Sequence, residues 1–146
     1  MRLPIWLYRY RLGWLLGNRF LLLVHKGRKS GLPRQAVLEV VGYHEDTGVY
    51  VVAAAWGEKA DWYLNILKTP VVWVRAGRKR FKAVASRLPE DHAQFELQLY
   101  ARRHPIAFRQ LAGLMFDLST GSRPGDDLYR AFVRSIPLVA LRPISE

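Results

Sequence analysis

The chain alternates between short apolar runs and turn-rich polar breaks, and the spacing within each run predicts what it forms. From Pro4 to Leu16, the residues Ile5, Tyr8, Leu12, Leu15 and Leu16 recur at helical spacing, and Gly17-Asn18 supplies a stop, which predicts an amphipathic N-terminal helix over 4–16. Phe20 to His25 and Arg34 to Tyr43 read as strands on either side of Lys26-Gly27-Arg28-Lys29-Ser30-Gly31-Leu32-Pro33. The turn signal Glu45-Asp46-Thr47-Gly48 leads into a β-branched and small-residue strand from Val49 to Ala55. A helix is expected from Glu58 to Lys68, ending near Thr69 because Pro70 disfavours helical geometry in the residue before it. Val71 to Val74 and Arg80 to Ser86 flank Ala76-Gly77-Arg78 as a second hairpin.

Pro89 with Glu90 and Asp91 opens a helix that Arg102-Arg103 closes, the charge order a helix dipole favours. After the interruption at His104-Pro105 a helix resumes from Ile106 to Phe116. A loop from Ser119 to Gly125, a helix from Asp126 to Arg134 and a strand from Leu138 to Leu141 complete the chain. About six mostly antiparallel strands with flanking helices predict a small α+β barrel, read as one domain over residues 1–146.

Composition narrows the chemistry. Half of the 146 residues are apolar, enough for one real core and too few residues for two ordinary domains. With no cysteine there is no disulfide, thiolate nucleophile or thiolate-held zinc. His25, His44, His92 and His104 are scattered, none at metal-ligand spacing from another, so no metal is expected. Dinucleotide and phosphate-loop glycine motifs are absent too, and a reaction run by this chain would therefore rely on a bound cofactor.

The net charge is +11 and unevenly placed. Arg2, Arg9, Arg11, Arg19, Lys26, Arg28, Lys29 and Arg34 precede the first acid, Glu39, and Arg75, Arg78, Lys79, Arg80 and Lys82 form a second cluster. This predicts an anionic partner: nucleic acid, an acidic membrane surface or a multiply charged small molecule. No apolar run is long enough to span a bilayer and no secretory cleavage site is visible, so a cytoplasmic location is expected.

In the loop from Lys26 to Arg34, two glycines can take positive φ and let successive N–H groups converge, with Arg28, Lys29 and Arg34 around them. That pattern suits a phosphate or carboxylate, and equally a solvated basic turn. Trp62 and Asn65, three apart, share a helix face; they suit a flat heterocycle and its edge, or a core indole and a turn amide.

Taken together, Gly27-Arg28-Lys29-Ser30-Gly31-Leu32-Pro33-Arg34, Val51-Val52-Ala53-Ala54-Ala55-Trp56-Gly57, Trp62-Tyr63-Leu64-Asn65 before Pro70, and Ile136-Pro137-Leu138-Val139 resemble the deazaflavin (coenzyme F420)-dependent nitroreductase and quinone reductase family. The resemblance covers nearly the whole chain, in order. It implies a split β-barrel related to the flavin mononucleotide-binding fold, with coenzyme F420 as cofactor. It further implies that Arg28, Lys29, Ser30 and Arg34 hold the cofactor's phosphate and polyglutamate tail. Ala53, Ala54, Ala55, Trp56, Gly57, Trp62 and Asn65 would lie along the deazaflavin and its side chain. The implied reaction is hydride transfer to a quinone, a nitro compound or an activated alkene, followed by a proton for which Tyr129 is a candidate donor.

Two departures bear on the ring environment: Ala55-Trp56 stands where some relatives have polar residues, and Glu39 where some quinone reductases have a tyrosine on the second strand. The alternative is a split barrel that binds flavin mononucleotide, haem or an apolar ligand. A basic nucleic-acid-binding module is disfavoured, because aromatic and basic residues are not interleaved as a stacking platform needs. The expected partner is a small-molecule acceptor rather than nucleic acid, and a homodimer is compatible. The N-terminal helix has two open readings, packing on the barrel or lying on an anionic membrane surface with Trp6 and Trp14 at the interface.

Overall fold

The computed structural model describes residues 19–54, 57–116 and 126–144, with side chains omitted over 111–116 and 126–127. The expected N-terminal helix, Ala55, Trp56 and the loop from Ser119 to Gly125 lie outside the described residues.

Six strands form a closed barrel: β1 (Phe20–Lys26), β2 (Pro33–His44), β3 (Val49–Ala53), β4 (Val71–Ala76), β5 (Lys79–Arg87) and β6 (Leu138–Pro143). Their order around the barrel is β1-β2-β3-β6-β5-β4, and every pairing, including the closing one between β1 and β4, is antiparallel. Among the described residues, closure leaves no open sheet edge. Between β3 and β4 comes helix α1 (Asp61–Lys68); after β5 come α2 (Glu90–Arg103), α3 (Pro105–Phe116) and α4 (Asp126–Ser135).

The strands' two-residue period divides the core in two. Inward positions such as Leu21, Leu23, Leu38, Val52, Val72, Val74, Ala83, Ala85, Val139 and Leu141 fill the barrel, and Trp62, Tyr63 and Ile66 of α1 join them. Outward positions Val41, Val51, Ala53 and Leu138 pack instead against Leu97 and Tyr100 of α2, Phe108 of α3 and Phe132 of α4. One apolar cluster therefore holds α1 on the barrel, and another holds the remaining helices on its outside.

Each expected strand and helix that falls within the described residues is present, with shifted ends. The strand expected to reach Ala55 stops at Ala53, where Ala54 N–H donates to Pro137 O and Gly57 N–H to Ala54 O, turning the chain out of the sheet. The helix expected from Glu58 begins at Asp61, preceded by a single 3-10 turn over Gly57–Lys59. Gly57 has φ +75°, which a side chain rarely adopts and which continuous helix would not contain. At its other end α1 stops at Lys68, with Thr69 as the C-cap before Pro70. The pairing of β2 with β3 shifts register between Val40 and Gly42, a bulge-type irregularity.

Candidate active site

The basic loop between β1 and β2 is built from its strand ends inward. The last rung of the hairpin pairs Lys26 with Pro33, and inside it Gly27 N–H donates to Leu32 O at 2.8 Å and Gly31 N–H to Gly27 O at 2.9 Å. Gly31 takes φ +72°, and Ser30 Oγ accepts from Leu32 N–H at 3.2 Å. A Cβ at Gly27 would sit 2.6 Å from Ser30 Oγ, so glycine there lets the loop fold back on itself. The chain thus reverses within the loop, with Ser30 Oγ folded back over Gly27.

Helix α1 fixes the loop. Arg28 donates from its backbone N–H to Asn65 Oδ1 at 3.0 Å, and its guanidinium donates to the same oxygen at 2.9 Å. The guanidinium also reaches Asp61 Oδ1 at 3.2 Å, and Lys68 Nζ donates to Arg28 O at 2.9 Å. Arg28 is therefore occupied on both its backbone and its side chain. Lys29, Ser30 and Arg34 are exposed, and within the described residues the N–H groups of Lys29 and Ser30 have no acceptor. Two adjacent free donors flanked by a lysine and an arginine suit an anionic oxygen cluster such as a phosphate. The donor set fits the anionic tail of a deazaflavin cofactor.

The other expected site residues fall in different places. Asn65 is buried and faces the loop, and of the two readings open for Trp62 the structure shows the core indole, buried among the barrel residues and edge-on to Tyr63. Ala53 and Ala54 are buried, Ala53 toward the helical cluster and Ala54 toward the barrel. A Cβ at Gly57 would lie 3.1 Å from Ser135 O, a close approach of two backbones. Tyr129 belongs to the helical layer, its ring stacked on Phe108 at 5.5 Å, while the loop docks on α1. Two shallow depressions, of about 360 and 520 Å³, are lined by other residues, the larger by His44 and Glu96 among them.

Sequence reasoning gave no role to His25 or Asp61. His25 closes an apolar strand, is buried, and meets the Asn65 amide nitrogen at 2.9 Å from its Nδ1. The available signal was its place at the end of a buried run, since a buried imidazole needs a partner.

The described barrel defines the class as a split β-barrel, the architecture of the flavin mononucleotide-binding proteins. A pyridoxamine 5'-phosphate oxidase-related, FMN-binding protein from Nostoc punctiforme is 18% identical, with 97% of this chain and 82% of that chain covered and a TM-score of 0.53. HutZ, the haem storage protein of Vibrio cholerae, is 17% identical over 100% of this chain and 93% of its own, with a TM-score of 0.57. An F420-H2 dependent reductase (FDR-A) is 21% identical, covering 85% of this chain and 94% of that one, with a TM-score of 0.55. No curated protein sequence matches the chain. Residues 2–111 match the sequence profile of the F420H(2)-dependent quinone reductases, and the chain belongs to that family. It is accordingly a deazaflavin-dependent oxidoreductase whose cofactor is coenzyme F420.

Proposed function

We propose that the protein reduces an electron-poor acceptor, with quinones first and nitro compounds or activated alkenes in the same class. The observation that carries this reading is the basic loop, whose free Lys29 and Ser30 N–H groups and exposed Lys29 and Arg34 side chains stand beside a loop base pinned to α1. When bound, the deazaflavin supplies the hydride. The chain's part is to bind and orient: Lys29, Ser30 and Arg34 take the anionic tail, and Arg28 and Asn65 keep the loop in its turn. The residues that lie along the ring would be those from Ala53 to Gly57, at the end of β3. Fixing donor and acceptor at reacting distance is where such a protein gains most of its rate. The following proton comes from solvent or from Tyr129.

Titration of F420 fluorescence, with anaerobic oxidation of reduced F420 against quinones, nitro compounds and enones, tests the reading. Saturable micromolar quenching with turnover on at least one acceptor is expected. Absence of saturable quenching overturns it, and equally tight, strongly salt-dependent binding to any DNA duplex would favour a nucleic-acid module instead.

A further inference from the structure

We propose that Asn65 is the positioning residue of the anion loop, held in its working orientation by a neutral His25. The inference deepens the proposed cofactor site and rests on it for its meaning. Its geometry stands independently.

The two ends of the Asn65 amide face opposite demands. On one side Arg28 offers only donors, its backbone N–H at 3.0 Å and its guanidinium at 2.9 Å, and these require the amide oxygen. The amide nitrogen is left for His25 Nδ1 at 2.9 Å, and because that nitrogen donates, Nδ1 must accept. His25 is thereby fixed as the neutral tautomer with its proton on Nε2. A protonated His25 would set N–H against N–H, and the amide could satisfy it only by turning its oxygen away from Arg28. The turn that aims the N–H groups of Lys29 and Ser30 would then lose its clamp on α1.

The surroundings favour the neutral form. His25 is 5% exposed, and burial lowers its pKa below the ordinary value; Asp61 of α1 opposes this and Arg34, its cross-strand partner on β2, reinforces it. Arg28 of the loop adds a further positive charge on the far side of the amide. Loop order and imidazole protonation are then linked, so each changes the other by the same free energy.

The Asn65→Asp variant inverts the logic at nearly constant shape. One carboxylate oxygen still accepts from Arg28, and the other now accepts from a protonated His25, which raises the imidazole pKa. Two measurements test this: the nitrogen-15 shifts and pKa of His25 by NMR, and F420 affinity from pH 5 to 8. In the parent protein Nδ1 is expected unprotonated at neutral pH, with affinity dropping about tenfold as His25 titrates, an ordinary size for coupling between two sites. In Asn65→Asp the His25 pKa is expected above 6.5 and the affinity profile to run the other way, stronger in acid than at neutral pH.

A proton on Nδ1 in the neutral parent protein, or parallel pH profiles for the two proteins, overturns the assignment. If neither protein binds F420 at any pH, the proposed function fails. The positioning role is then decided by the NMR result together with the Lys29 and Ser30 amide shifts, which should move with His25 protonation.

Discussion

A Cβ on Gly42 would stand 2.7 Å from Glu96 Oε2, so β2 and α2 approach each other at a point where the strand carries no side chain. Glu96 is buried, and its other oxygen bonds His44 Nε2 on the same strand. Gly42→Ala therefore forces the carboxylate to move, and a buried carboxylate has few other partners to move to. A loss of about 1–3 kcal/mol in folding stability is expected, the cost of leaving such a group unsatisfied. Chemical denaturation checks it, in a cycle with Glu96→Gln in which the two effects should fall short of adding. Unchanged stability of Gly42→Ala would show that the helix yields at no cost.

Charge reversal in the loop should separate binding from folding. Lys29→Glu with Arg34→Glu is expected to weaken F420 binding by about a hundredfold or more, while stability stays within about 0.5 kcal/mol, as for other exposed substitutions. Reversing Arg28 and Lys29 together behaves differently. A glutamate in place of Arg28 would face Asp61 and Asn65 Oδ1, so affinity and thermal stability should both fall, where Arg28 and Lys29 as mere surface charges would lose affinity alone. Fluorescence titration beside thermal melting distinguishes the cases.

His25 predicts the acid limb of the stability profile. Its pKa is lowered in the folded protein, chiefly by burial, so below the ordinary value of 6.5 the unfolded chain takes up a proton that the folded one resists. Its contribution is therefore fully retained above pH 6.5 and is lost as pH falls below it. Urea midpoints between pH 5 and 8 should show this slope, and a His25→Gln variant, neutral throughout, should show a shallower one. Equal slopes would mean that His25 is not the titrating group.

Much of the fold was legible because its strands carry a two-residue period and its turns carry glycine at positive φ, as at Gly31, Gly48 and Gly77. The helix α2 was legible for a similar reason, with Glu90 and Asp91 opening it and Arg102 and Arg103 closing it. Ends set by non-local bonds were not legible: β3 stops at Ala53 because Ala54 N–H meets Pro137 O, in a distant part of the sequence. The site divides along the same line. Lys29, Ser30 and Arg34 announce themselves by charge and turn chemistry. The roles of His25, Asp61 and Asn65 depend on α1 docking against the β1–β2 loop, and spacing within either segment does not encode that contact.

Tyr129 offers a direct test of proton delivery. Its ring stacks on Phe108 in the helical layer, so Tyr129→Phe preserves the packing and removes only the hydroxyl. If this hydroxyl delivers the proton, turnover should fall about 10²–10⁴-fold, the usual contribution of a positioned acid, with F420 affinity unchanged. Unaltered turnover on several acceptors would leave solvent as the source.

The hydroxyl of Tyr100 predicts the alkaline limb of stability. It donates to Glu39 Oε1 at 2.5 Å across the contact between α2 and β2, and Arg19 Nε lies 3.6 Å from the same oxygen. Burial, and then the bond to Glu39, push the Tyr100 pKa well above its ordinary value of 10. A phenol that keeps its proton longer when folded contributes stability that is complete below pH 10 and is lost as pH rises beyond it. Tyr100→Phe keeps the ring and leaves Glu39 with the more distant Arg19. The expected cost is about 1–3 kcal/mol at neutral pH, together with disappearance of the tyrosine's share of the alkaline loss. Melting temperatures from pH 7 to 11, paired with ultraviolet titration of the tyrosinates, decide it. An alkaline limb identical in the variant and the parent would assign that loss to other groups.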